Sequence, residues 1–350
     1  TLFVLTFTEN RPFNEYELTK LAPSVDYNNS LVGVSFDEKS DLYIWGLIHS
    51  GPQWADLIHG GSQTAIPLPP CLGINVVGPG RLTICHGLNI LVQLSGGNII
   101  SPSASVFQSR WIKERFVAVQ EKLFNRHRKN RHYNPEQWAK VDPYFVGTLY
   151  QEFFKHVISH IRMLNHGGLI ISLPMEYSDA FEDEDDVVSV KYRFSKSTER
   201  LRMKTIILEI MASLAKVCGR LYGPEYTAGW KDYVNLRDEG MAGLDEQLFE
   251  FARFVASLAS IDGAVIITEE PDIIGFGAMI QGTYEMGQSV AHALDPEGSQ
   301  KQIGRIEGVG SRHRALFYFC SKVKDALGIS ISQDGKVRAV SWNNNIVTSW

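Results

Sequence analysis

The sequence predicts an α/β protein whose C-terminal mixed sheet is flanked by helices and preceded by a β-rich N-terminal module and a mainly helical middle region. Three observations carry this. Short apolar, β-branched runs broken by Gly, Pro and Asn fill the first 116 or so positions. Apolar residues then recur every three and four positions through much of the middle. From position 244 onward, helical and strand-like patterns alternate. A chain of 350 residues with 44% hydrophobic and 21% charged content exceeds one small domain, and the expected divisions are 1–116, 117–243 and 244–350.

In the first division the runs SLVGVSF, DLYIWGLI, GINVVGPGRLTICHG and LNILVQLSGGNII read as strands and turns. GPGRL, starting at Gly78, has Pro79 between its glycines and no GK[ST] after it, so it reads as a turn and not as a phosphate cradle. In the second, RWIKERFVAVQEKLFNRHRK and the span from Pro143 to Leu164 read as helices. HGGLIISLP, His166 to Pro174, reads as a helix stop and a buried strand. The acidic run DAFEDEDDV that follows lacks the alternation and glycine of a calcium loop and reads as solvated. A helix from about Glu199 to Leu221 and a Gly-rich link from Gly223 to Gly243 close this division. The third division reads as helix DEQLFEFARFVASLAS, strand GAVIIT, strand IIGFGAMI, a polar loop, helix SRHRALFYFCSKVKDAL, strand GISISQ, turn DGK and strand VRAVSW.

Composition narrows the function. A net charge of -5 and a pI near 6.1 give no global attraction to nucleic acid or an anionic membrane, so anion binding must come from a local constellation. No run of about 18 apolar residues or signal-like start occurs. Four cysteines, Cys71, Cys85, Cys218 and Cys320, include no CxxC pair and fit reduced, mostly buried thiols in a cytoplasmic protein. The chain begins at Thr1 rather than Met, as a fragment or trimmed chain would.

Several motifs read as structure. His156 and His160 in HVISH have i,i+4 spacing, but the metalloprotease pattern needs Glu after the first His and Val157 stands there. Arg126, Arg128, Lys129 and Arg131 read as a solvated helix end. No G-x-S-x-G elbow occurs.

The C-terminal division differs. Asp262 stands before strand GAVIIT, where Gly263 and Ala264 leave room for a ligand near the backbone. A carboxylate there is either a cap or turn residue or a metal ligand. Ser311, Arg312, His313 and Arg314 open a helix, whose exposed N–H groups and dipole add to two guanidiniums to make an anion-binding corner. Ser332 ends the next strand. Pocket walls are expected from strand residues such as Ile274 and Phe276.

The combination of DGA at Asp262–Ala264, GSRHRA about fifty residues later and a strand-end Ser beyond it resembles the diadenylate cyclase domain family, over about Leu244 to Trp342. That family joins two ATP molecules into cyclic di-AMP, and some relatives resemble nucleotide sensors that bind without turnover. The resemblance implies that Asp262 holds Mg or Mn and favours deprotonation of the attacking ribose 3′-hydroxyl. It implies that Gly263 and Ala264 lie against the nucleotide and that Ser311, Arg312, His313 and Arg314 grip the triphosphate, with His313 near the metal; Ser332 joins the nucleotide-binding set. It also implies two half-sites facing each other in a homo-oligomer. No nucleic-acid module or membrane helix of other members is matched. Three features depart from the family pattern: Ser311 replaces Thr, Gln333 stands where Glu is usual with Asp334 after it, and the loop from Gly282 to Gly308 is long.

Overall fold

The computed structural model describes residues 3–24, 29–49, 71–86, 89–95, 98–100, 109–115, 117–129, 134–164, 166–177, 187–236, 238–282, 284, 288–305, 310–333 and 336–350. The first strands are β1 (Phe3–Pro12), β2 (Ser30–Phe36) and β3 (Leu42–His49), with helix α1 (Glu15–Leu21) between β1 and β2. They form an antiparallel sheet ordered β1-β3-β2. Asn14 caps α1 by accepting from the Glu17 N–H, and Arg11 pairs with Glu17, so one carboxylate ties strand to helix. A Cβ on Gly33 would lie 2.4 Å from the Trp45 ring, so glycine is what lets that indole cover the sheet.

A second antiparallel sheet is a meander of β4 (Leu72–Gly78), β5 (Arg81–His86), β6 (Asn89–Ser95) and β7 (Asn98–Ile100). GPGRL is the β4–β5 turn, with Gly80 at φ +68°. Helices α2 (Arg110–Arg115), α3 (Val117–Arg128) and α4 (Phe145–Leu164) follow, with short β8 (Lys140–Val141) before α4. Next come β9 (Gly168–Leu173), β10 (Val188–Arg193), α5 (Arg202–Tyr222), β11 (Thr227–Ala228), α6 (Trp230–Asn235) and α7 (Glu239–Ala259). The chain ends with β12 (Ala264–Thr268), β13 (Ile273–Ile280), β14 (Ser289–Ala293), β15 (Lys301–Arg305), α8 (Ser311–Lys322), β16 (Leu327–Ile331), β17 (Val337–Asn343) and β18 (Ile346–Ser349).

The large sheet has nine strands in the order β10-β13-β12-β9-β16-β17-β18-β14-β15. The β12–β9 and β14–β18 pairs are parallel and the others antiparallel. Its inner strand β9 is buried at all six positions, as a mostly aliphatic run without polar alternation requires when both faces are covered. Ile170, Val265, Ile267 and Ile329 point toward the layer of α4, α5 and α7. Leu169, Ile171, Ala264 and Ile266 point the other way, under Leu316, Phe317 and Cys320 of α8. Each fully buried Leu or Phe of this kind contributes about 1.5–3 kcal/mol.

The mixed C-terminal sheet between helices is therefore present, as is the β-rich N-terminal part. The sheet also draws from the 117–243 division β9, the strand expected there, and β10, because β9 pairs with both β12 and β16 and β10 pairs with β13. The expected Gly-rich link is partly helix: α7 starts at Glu239, capped by Asp238, and absorbs Gly240 and Gly243. The expected polar loop contains β14 and β15. No helix among the described residues is long and apolar enough to cross a membrane.

Candidate functional site

Parallel β9 and β12 and antiparallel β16 place four chain segments at one end of the sheet: the turn before β9, the turn before β12, the exit of β16 and the start of α8. Asp262 lies in the second and Arg312 in the fourth. Arg312 Nη2 is 3.1 Å from Asp262 Oδ1, although fifty residues separate them. Arg312 Nη1 also points at the His166 carbonyl oxygen, 3.5 Å away, at the edge of hydrogen-bonding range. The Asp262 side chain is 95% exposed and that of Arg312 49%, so the pair sits in solvent.

The backbone beneath is shaped by glycine. Gly263 has φ +112°, and a Cβ there would stand 2.5 Å from the Gly277 carbonyl carbon. Close approach of β13 is thus the immediate reason for glycine after Asp262. Gly167 has φ +66° and abuts the Ile331 carbonyl oxygen, which holds the turn before β9 against the end of β16. Ala264 is fully buried in the core under α8.

Helix α8 starts on Gly310, which has no side chain to cap the first N–H groups, and its first turn contains no acid. Two arginines and a histidine thus stand where the helix dipole already favours negative charge. Ser311 and Arg312 are exposed, while His313 and Arg314 are half-buried. His313 Nε2 lies 3.3 Å from the Ser330 hydroxyl, itself buried on β16. Arg314 Nε is buried with no hydrogen-bond partner among the described residues. Ser332 donates its hydroxyl to the Lys336 carbonyl and accepts from the Lys336 N–H, closing the β16–β17 turn. Gln333 is exposed beside it, and Asp334 lies outside the described residues.

Asp262, Arg312, His313 and Arg314 thus occupy one end of the sheet, with Ser332 at the neighbouring strand exit. Of the expected pocket walls, Ile274 is buried in the core, whereas Phe276 is half-buried and stacks on Tyr192 with ring centroids 4.8 Å apart. A divalent ion of the Mg type uses one or two carboxylates and otherwise keeps waters and phosphate oxygens. The exposed Asp262 carboxylate suits such a shared ion. A closed cage is a different matter, since no group of three His, Cys, Asp or Glu side chains able to hold a metal occurs among the described residues.

His156 and His160 pack instead on Phe249, at centroid distances of 5.5 and 4.9 Å. Burial, aided by His160 and Lys155, pulls His156 down to about 3. The acidic run lies outside the described residues except for its last residue, Val187, as does Arg131; Arg126, Arg128 and Lys129 are exposed. The expected turn and solvated-face readings fit GPGRL and these three cations.

Sequence reasoning missed a second charged constellation at the opposite end of β12, in the turn Glu269–Asp272. Arg115 lies 3.0 Å from Glu269. Lys122 and Lys204 take one oxygen each of Glu270 at 2.7 and 2.6 Å. Arg200 grips both oxygens of Asp272. Burial alone would raise the Glu270 carboxyl, but the two ammonium groups outweigh it and hold it below its usual range. Burial lowers Arg115, and Glu269 partly offsets that. The available signal was three acids between two strands that carry no charged residue, a place where charges persist only when paired.

Comparison with known proteins adds one finding. A family model described as "probable sensor domain DACNV" matches residues 1–49, which hold β1 to β3 and α1. The match therefore falls on the N-terminal sheet and does not reach the region around Asp262 and Arg312. No curated protein matches the chain, and no solved structure does. What the comparisons give this protein is a sensor-domain likeness over its first 49 residues, joined to an α/β body with a cationic helix start at one end of its sheet.

Proposed function

We propose that this chain is a nucleotide-responsive sensor whose C-terminal α/β body binds ATP or a related adenine nucleotide at the start of α8. The observation that carries this is the meeting of Asp262 and Arg312, brought together from positions fifty residues apart. Arg312, Arg314 and the α8 N-terminus supply fixed positive charge for a polyphosphate. The unpartnered Arg314 Nε supports an anionic occupant. Asp262 would hold Mg or Mn jointly with the phosphates. The bound ion would neutralise phosphate charge; the chain's own residues orient the anion and keep its phosphates at the helix start. The sensor-domain likeness of residues 1–49 supports sensing over turnover, as does Gln333, a neutral amide where the cyclase pattern has a carboxylate.

A second reading, diadenylate cyclase activity, draws on the retained Asp262. In it the 3′-hydroxyl of each ATP attacks the α-phosphorus of the other, two P–O bonds form, and two pyrophosphates leave. Asp262 would favour loss of the hydroxyl proton, and the arginines would stabilise charge on the phosphoryl oxygens and the leaving group. Ring closure needs two half-sites, hence a second copy of the chain facing the first.

The test is a thermal shift with ATP and Mn, followed by mass spectrometry of the reaction mixture. A ligand at a hundred times its Kd adds about 2.7 kcal/mol of stability. The sensor reading expects a shift that Arg314→Gln abolishes, with no cyclic product. Cyclic di-AMP that disappears in Asp262→Asn would establish the second reading, and no shift with any adenine nucleotide would refute both.

A further inference from the structure

The two groups on which the proposed site depends neutralise each other. Arg312 sits in the first turn of α8, where the helix dipole disfavours a cation, and the Asp262 carboxylate 3.1 Å away offsets that cost. Neither side chain can keep this pairing and also serve a ligand fully. A carboxylate oxygen facing a guanidinium is less available to a metal, and a guanidinium held by a carboxylate and the His166 carbonyl is less available to a phosphate.

We infer that the Asp262–Arg312 ion pair is a latch coupling divalent-cation binding to polyphosphate binding: the cation takes the carboxylate and thereby releases the guanidinium onto the phosphate. This rests on the proposed nucleotide site and adds its regulation. The latch is weak enough to be opened, because an ion pair this exposed contributes little stability. The backbone sets where the two meet: the turn carrying Asp262 packs on Gly277 through Gly263, and Arg312 stands in the first turn of the helix. Linkage makes the coupling reciprocal, so phosphate binding also frees the carboxylate for metal.

The test is a double-mutant cycle read as ATP affinity by calorimetry, first in chelator and then with Mn. In chelator, Asp262→Asn frees Arg312 and tightens ATP binding about two- to fivefold, the range an exposed pair supports. In an Arg312→Gln background the same substitution yields no such gain. Mn tightens ATP binding by the wild-type chain and does so less in Asp262→Asn. Simple repulsion between Asp262 and phosphate predicts otherwise, since its relief would persist without Arg312. A gain that survives Arg312→Gln, or no gain at all, overturns the latch while leaving the nucleotide site standing. Absence of ATP binding by the wild-type chain in both conditions overturns the site and the latch together. Both residues are solvent-facing, so coincident melting curves for the four proteins are expected and exclude misfolding as the cause.

Discussion

Arg200→Met probes the buried joint at the far end of β12. The Arg200 Nε and Nη2 atoms each lie 2.6 Å from a different oxygen of Asp272, and the two side chains are 7 and 8% exposed. Methionine keeps much of the aliphatic stem but removes the charge, leaving the Asp272 carboxylate buried without its bidentate partner. Breaking a buried pair from one side costs about 3–5 kcal/mol, and two charge-assisted hydrogen bonds at about 1.5–3 kcal/mol each give an overlapping range of about 3–6 kcal/mol. Removing both charges is far cheaper, so Arg200→Met/Asp272→Leu recovers most of the loss. Urea unfolding followed by tryptophan fluorescence measures this, with Glu114→Gln as control. That change breaks the exposed Arg110–Glu114 pair, 82 and 57% exposed, and leaves the unfolding midpoint nearly unchanged because solvent screens so exposed a pair. A loss below about 1 kcal/mol for Arg200→Met, or a double variant no better than the single one, would refute the claim that burial makes this pair matter.

Further outcomes follow from the same structure. His156 is held near 3 against about 6.5 in an unfolded chain, so below pH 6.5 the unfolded state binds the extra proton and stability falls as pH drops toward 3; at pH 5 the loss is about 2 kcal/mol, and it vanishes in His156→Leu. Denaturant midpoints measured across that range check this. Gly263→Ala forces a Cβ against the Gly277 backbone at positive φ, costs about 1–3 kcal/mol and displaces Asp262, which shrinks the gain in ATP affinity that Mn brings. Burial pushes the Cys320 thiol to about 12 and Cys218 to about 11, and Cys85 is also raised, whereas Cys71 is exposed. A thiol reagent should therefore titrate one fast cysteine in the native chain and four after unfolding, and a second fast thiol would contradict the described core.

Much of the sheet was legible because its strands are mostly aliphatic runs bounded by Gly, Pro and Asp, as in GLIISL and AVIIT. Both are buried on two faces, which makes them continuous rather than alternating. The strands that escaped lack that signature. β14, SVAHA, and β15, KQIGR, are short and partly polar, and β15 is an edge strand with Ile303 69% exposed. β18 follows a turn at Asn344 and Asn345, both at positive φ, and Asn-Asn between strands could have been read as a hairpin. At the site, DGA and RHR stood out because charge meets apolar segments there. Their union could not be read from periodicity, since it depends on parallel pairing of β12 with β9 and on α8 crossing that sheet. The Glu269–Asp272 network was opaque for a similar reason: its cations come from α2, α3 and α5 and from the residues leading into α5, up to 154 positions away from Glu269 in the case of Arg115.

Hydrogen exchange read by mass spectrometry, with and without ATP and Mn, tests most directly whether the end of the sheet at the α8 N-terminus is a nucleotide site. Slowed exchange in peptides covering 260–264 and 310–314, absent in Arg312→Gln/Arg314→Gln, is the expected result. Protection confined to residues 3–49, or no protection anywhere, would contradict it.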